Sequence, residues 1–293
     1  MRRTVLLAVA VAVVCLGSAG AQTLQPMTSG VIPVVAHLPG AQGSFWTTSL
    51  YATQVGGNQA AELTVTILTS SGPYYEKTFA MPAAGGTLEI KDVVKSVAPS
   101  LGNGKFVATW WSTQKAVVST RTFTTASEGT YGQGVGSVAQ GSGFKQGGTA
   151  IFPAPMDFDG HRVSVGIANA GTISQTFDVK TLDAHGAVIS TWTKTVAPGA
   201  LEQFQANAKM DGAGSISMTC TDGCDGSAFG YASIVVNGTS DAYYLYAGAS
   251  SSVEPTVPIA VNRDAQGVWY ITGGTLYDVF EAMGHEVAKD RLW

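Results

Sequence analysis

The sequence predicts a mainly β fold built as two tandem immunoglobulin-like antiparallel β-sandwiches. Runs rich in β-branched and aromatic residues recur at short intervals, and Gly-, Asn- and Pro-containing turn signals separate them. The order of these runs in the first half then returns in the second. Hydrophobic residues make up 45% of the chain, enough for a buried core, while charged residues are only 12%, about half the usual share.

Residues 1–21 stand outside that core. Arg2 and Arg3 precede an apolar run ending at Leu16, and Ala19-Gly20-Ala21 supplies small residues of the cleavage type, so 1–21 reads as a signal peptide. The run is shorter than the ~20 residues a spanning helix needs. Bulky Val14 before Cys15 argues against a lipid-modified cysteine. An exported protein is expected, periplasmic or extracellular, with no membrane span. Without Arg2 and Arg3, 14 basic residues face 20 acidic ones, a formal charge of 14 − 20 = −6. That balance argues against nucleic acid and anionic lipid as partners.

The first repeat is expected over 31–126. "FWTTSLYAT" (45–53), "ELTVTILT" (62–69), "KFVATWW" (105–111) and "AVVSTRTFT" (116–124) read as strands, with Leu63, Val65 and Ile67 inward and Thr64 and Thr66 towards water. Ile90, Val93, Val94 and Val97 have helical spacing and predict a short crossover helix. Residues 127–148 are Gly/Ser-rich and read as a linker or long loop. The second repeat follows over 149–250. There "RVSVGIANA" (162–170) matches the first run, "TFDVKTLDAHG" (176–186) the second, and "GSISMTC" (214–220) matches "GKFVATW"; both copies end on an aromatic strand, "VVSTRTF" in the first and "FGYASIVV" then "AYYLYAG" in the second. Gly72 aligns with Gly186, and Gly86-Thr87-Leu88-Glu89 with Gly199-Ala200-Leu201-Glu202.

Chemistry-bearing residues in the repeats are sparse. In an oxidising compartment Cys220 and Cys224 are expected to form a disulfide, free thiols being the alternative. The four histidines lack metal-ligand spacing. "DFDGH" (157–161) lacks the later acidic positions of a calcium loop and reads as a turn. Trp110 and Trp111 must point to opposite faces of a strand, which leaves one available to stack on a sugar; Tyr243, Tyr244 and Tyr246 raise the same question. Core packing is the simpler reading for all five.

The last forty residues change character. Val257, Ile259 and Val261 alternate, 264–267 turn, and Val268–Ile271 return as a hairpin. Thr275 and Asp278 cap an amphipathic helix with Leu276, Val279, Phe280, Met283 and Val287 on one stripe. Arg263, Asp264, Gly267, Val268, Asp278, Gly284, Asp290, Arg291, Leu292 and Trp293 together resemble the opening of the α-chain of the penicillin acylase family of N-terminal-nucleophile hydrolases. Trp269-Tyr270 departs from the Pro-His that many members carry. The resemblance implies that residues 254–293 begin a truncated αββα domain. In it Arg263, Asp264, Gly267, Asp278, Gly284, Asp290, Arg291 and Trp293 have structural roles.

By the same resemblance, the full-length protein hydrolyses linear amide C–N bonds through an N-terminal Ser and carries calcium. The nucleophile, oxyanion donors and calcium ligands would all belong beyond this chain, so no catalytic, cofactor-binding or metal residue is expected here. An amide substrate would be a partner only with the catalytic domain completed. Two other readings stand beside this one: a secreted β-sandwich protein that binds a glycan or another cell-surface component, and a structural spacer.

Overall fold

A computed structural model describes residues 24–247, apart from positions 41–42, 58, 71, 73, 127–128, 156, 158, 207–211 and 239–241, together with the strand pair at 260–263 and 269–272. The first repeat comprises β1 (Met27–Pro39), β2 (Phe45–Gln54), β3 (Ala61–Leu68), β4 (Tyr75–Met81), β5 (Thr87–Ile90), α1 (Val93–Val97), β6 (Gly104–Ala126) and β7 (Gly129–Gly136). The second comprises β8 (Thr149–Pro155), β9 (His161–Asn169), β10 (Gln175–Leu182), β11 (Val188–Val196), β12 (Leu201–Gln205), β13 (Ala213–Asp222), β14 (Ala228–Val236) and β15 (Ala242–Ala247). A short hairpin, β16 (Ala260–Arg263) and β17 (Trp269–Thr272), comes last.

The fold is mainly β and antiparallel, and the two repeats share one wiring. In the second, β11-β10-β13-β8 forms one four-stranded sheet and β12-β9-β14-β15 the other. In the first, β4-β3-β6-β1 and β5-β2-β6-β7 follow the same order, with β6 serving both layers. β6 is 23 residues long: its first half pairs with β1 and β3, its second with β2 and β7. The second repeat breaks this strand into β13 and β14. Ser112 pairs with Leu63 as Cys220 pairs with Phe177, and Ala116 pairs with Gln54 as Asn169 pairs with Ala228. Between these points lie residues 113–115 in one repeat and 221–227 in the other. The Cys220–Cys224 disulfide therefore sits at the corner where the chain crosses between sheets.

Each sandwich closes its own core. Ile32, Leu50, Leu63, Val65, Ile67 and Trp110 are buried in the first, with Val93, Val94 and Val97 of α1 sealing one end. Phe144, Phe152, Val165, Phe177, Ile216 and Met218 fill the second. The period-2 pattern is plainest on β10, where Gln175, Phe177, Val179 and Thr181 are buried and the residues between them are not. β3 is covered on both faces: Thr64 and Thr66 are buried rather than facing water. Their hydroxyls bond to Thr78 and Glu76 across the β3–β4 ladder, and Trp111 is the cross-strand neighbour of Thr64.

Three further expectations need correction. Residues 127–148 are not simply a linker or long loop. Gly129–Gly136 forms β7 against β6, where a Cβ at Gly132 would strike the Thr122 carbonyl, so the glycines permit close strand approach. Val138 then pairs with Val31, and Phe144 is buried in the second core. The Gly86–Gly199 alignment slips by one. Gly85 and Gly199 are the residues with positive φ, and Thr87 and Leu201 open the matching strands. The "GSISMTC" match slips by two, which preserves the facing, because Leu68 pairs with Val107 as Leu182 pairs with Ser215. Gly72 and Gly186 both adopt positive φ after β3 and β10, in agreement with their alignment.

The repeats also pack on each other. Val31, Val107, Val138, Ala168 and Phe229 form a third buried cluster drawn from both, and Tyr231 of β14 enters the core of the first. The Gly199 turn abuts Thr69 after β3.

Candidate functional site

Strand alternation determines what the outer face of β12-β9-β14-β15 presents to the first repeat. Leu201, Ala168 and Phe229 form its apolar upper row, which the shared cluster buries. Lower rows are polar: Gln203, Gly166 and Tyr231 lie side by side, then Gln205, Ser164 and Ser233, then Arg162 and Val235. Opposite them stand Val34, Ala36 and Leu38 of β1, Lys105 of β6 and Gln133 of β7. Between these walls lies a cleft of about 300 Å³. That volume is at the small end of ligand pockets, which run from roughly 300 to 1,000 Å³.

One cross-boundary network fixes the cleft. Lys105 Nζ donates to Gln203 Oε1 at 2.9 Å, and the Tyr231 hydroxyl donates to the same oxygen at 3.3 Å. Ser233 Oγ donates to Gln133 Oε1 at 3.1 Å. Tyr231 is seated because residue 166 is glycine; a Cβ there would run into its ring. Its other side stacks on Tyr244, with ring centroids 5.1 Å apart. Burial of Lys105 lowers the ammonium pKa, with Glu202 pulling the other way. Burial also pushes the Tyr231 phenol far up, so it remains a neutral donor.

Trp46 completes the rim. It sits directly over Gly40, where any side chain would collide with the indole. Among the described residues the lining includes two cations, Lys105 and Arg162, and no carboxylate. Arg162 is exposed, and its guanidinium has no hydrogen-bond or ion-pair partner among the described residues.

The residues singled out from sequence lie elsewhere. Cys220 and Cys224 are disulfide-bonded, away from the cleft lining. Trp110 is buried and donates from Nε1 to Ser137 Oγ at 2.6 Å, whereas Trp111 is 47% exposed on the opposite face. Tyr243 is exposed; burial raises the pKa of Tyr244 and Tyr246. In "DFDGH" the Asp157 carboxylate accepts from the His161 ring, and the segment forms the β8–β9 connection. No cluster of three or more metal-ligating side chains occurs among the described residues. Arg263 lies on β16 opposite Trp269. Asp264, Gly267, Asp278, Gly284, Asp290, Arg291 and Trp293, with the expected helix and the signal peptide, fall outside the described residues.

Sequence reasoning missed Trp46, Lys105, Arg162 and Gln203. One signal was present. Leu201, Gln203 and Gln205 alternate on a strand whose outward positions would be charged if solvated, and neutral amides there mark a face that meets another surface.

No protein-family model matches the chain, and no curated protein does. Among solved structures, infectious bursal disease virus Gx strain is similar at 11% identity and TM-score 0.21, covering 73% of this chain and 70% of that one. The Gt strain gives 12% identity and TM-score 0.20, over 76% and 75%. Bacteroides uniformis beta-glucuronidase 2 gives 10% identity and TM-score 0.16, over 80% of this chain and 27% of that one. Likenesses at these TM-scores carry no argument about fold or activity.

Proposed function

We propose that the tandem repeats form a non-catalytic binding module whose ligand is a saccharide unit held in the cleft between them. The observation that carries this reading is the composition of the walls: a half-buried indole at the rim, amides and hydroxyls along both sides, and an apolar floor from β1. Sugars offer an apolar ring face and many hydroxyls, and a small cleft with a few convergent polar groups suits one ring. The disulfide supports an exported setting, periplasmic or extracellular, where cell-surface glycans are met. The test is a monosaccharide and short-oligosaccharide panel titrated into the whole chain by calorimetry. Binding that Trp46→Ala abolishes and Trp111→Ala leaves intact supports the cleft. The reverse pattern transfers the site to the Trp111 face, and no binding by any sugar leaves the spacer reading.

A second reading is favoured by one observation. β16 and β17 pair antiparallel, Val261 with Ile271 and Arg263 with Trp269, as two strands of the opening that the penicillin acylase resemblance implies would. On this reading the repeats precede an amide-hydrolysing unit and bring it to a surface. Purified chain incubated with a phenylacetyl-anilide reporter is expected to release no amine. Release above a heat-inactivated control would contradict that.

A further inference from the structure

We infer that the cleft selects a ligand bearing a carboxylate, of the acidic-sugar class; this rests on the saccharide reading above and narrows it. Donors outnumber free acceptors among the amide and cationic groups of the cleft. Gln203 Oε1 already accepts from Lys105 and Tyr231, and Gln133 Oε1 accepts from Ser233, so these two wall oxygens are engaged within the protein. The donors are not. Arg162 has no partner among the described residues, and the Gln203 amide nitrogen and the Trp46 indole N–H have none either. Lys105 spends one of its three N–H bonds on Gln203.

A ligand entering such a cleft must therefore supply acceptors. A neutral sugar hydroxyl brings a donor with each acceptor, and those donors would find the Gln203 and Gln133 oxygens already engaged. A carboxylate brings acceptors only and can engage Arg162 in a two-point contact. Lys105 and Arg162 come from different repeats, so each wall of the cleft carries one cation. Glu202 alternates with Gln203 along β12 and does not line the cleft, although its charge acts on Lys105; no carboxylate lines the cleft among the described residues. The other polar groups at hand among the described residues are the Tyr231 phenol, the Gln133 and Gln205 amides and the uncharged hydroxyls of Ser164, Ser233 and Thr122.

The test compares galacturonate with galactose, which differ at one carbon, alongside acetate and inorganic phosphate as bare anions. All are titrated calorimetrically into the whole chain at low and at high salt. Galacturonate is expected to bind at least about tenfold tighter than galactose, since one charge-assisted hydrogen bond is worth roughly that ratio. High salt should shrink the preference. Arg162→Gln should remove it while leaving the thermal transition unchanged, because Arg162 is exposed and unpaired. Equal affinities for galacturonate and galactose overturn the carboxylate assignment and leave the saccharide reading standing. Acetate matching galacturonate overturns the saccharide reading and keeps the carboxylate. Phosphate outcompeting galacturonate, or no binding by any probe, overturns the assignment.

Discussion

Lys105 Nζ donates a 2.9 Å hydrogen bond to Gln203 Oε1, joining side chains 98 positions apart across the boundary between the repeats. This contact makes the cleft a property of the pair, since each wall alone would be an ordinary sheet surface. A double-mutant cycle with Lys105→Met and Gln203→Met, read by urea denaturation, is expected to give a coupling of about 1 kcal/mol, the usual net worth of such a bond. Coupling below about 0.3 kcal/mol, the level of independent sites, would mean that the boundary is held by the apolar cluster alone.

The adjacent tryptophans should respond very differently to the same change. Trp110 is 2% exposed and its N–H is satisfied by Ser137, so Trp110→Phe leaves a void and strips one hydrogen bond from the Ser137 hydroxyl, which keeps only its 3.4 Å bond to the Val31 carbonyl. A loss of about 1–3 kcal/mol is expected. Trp111→Phe, on the exposed face, should change the urea midpoint little, by under about 0.5 kcal/mol in stability. Equal losses at the two positions would contradict the strand facing.

Alternation rules made this contrast readable from sequence, and much of the fold was legible for the same reason. The runs of β-branched residues marked the strands, and Gly72 and Gly186 marked matching turns because positive φ demands them. Gly85 and Gly86 could not be told apart, since only φ distinguishes which glycine the turn requires. The strand at 129–136 was hidden because its glycines serve close packing and look like linker composition. The cleft was the least legible part: Trp46, Lys105, Arg162 and Gln203 come from four different strands, and only the docking of one sheet face against the other repeat brings them together.

The disulfide should act locally, and on the connection between repeats. Gly147 N donates to the Cys220 carbonyl, Cys220 N donates to Gly148, and Lys145 pairs with Asp225 just beyond Cys224. Replacing both cysteines by serine is expected to cost about 2 kcal/mol, as a short closed loop implies. Limited proteolysis should then cut faster within 139–148. An unchanged cleavage pattern would show that the corner holds the connection without the bridge.

Alkaline pH should unfold the protein through its tyrosines. Burial raises the phenol pKa of Tyr231 and Tyr244 above the ordinary value of 10.0. In the unfolded chain these phenols ionise near 10.0, so above that pH the folded state binds more protons than the unfolded one and stability falls as pH rises. Lys105 acts oppositely: its lowered pKa penalises the folded state below the ordinary 10.5 and releases the penalty above it. The buried Tyr231 phenol and the enclosed Tyr244 hydroxyl together outweigh one half-buried ammonium. Absorbance at 295 nm should show fewer tyrosines titrating before unfolding than in denaturant, and identical curves in the two conditions would contradict their burial.

Hydrogen–deuterium exchange of the whole chain, with and without saturating galacturonate, addresses the central claim most directly, because it locates the ligand without altering the protein. Ligand-dependent protection is expected in both repeats at once, at 34–40 and 105–107 on one wall and at 162–164 and 203–205 on the other. Protection confined to one repeat, or to the strand face around Trp111, would contradict a binding site shared between the two sandwiches.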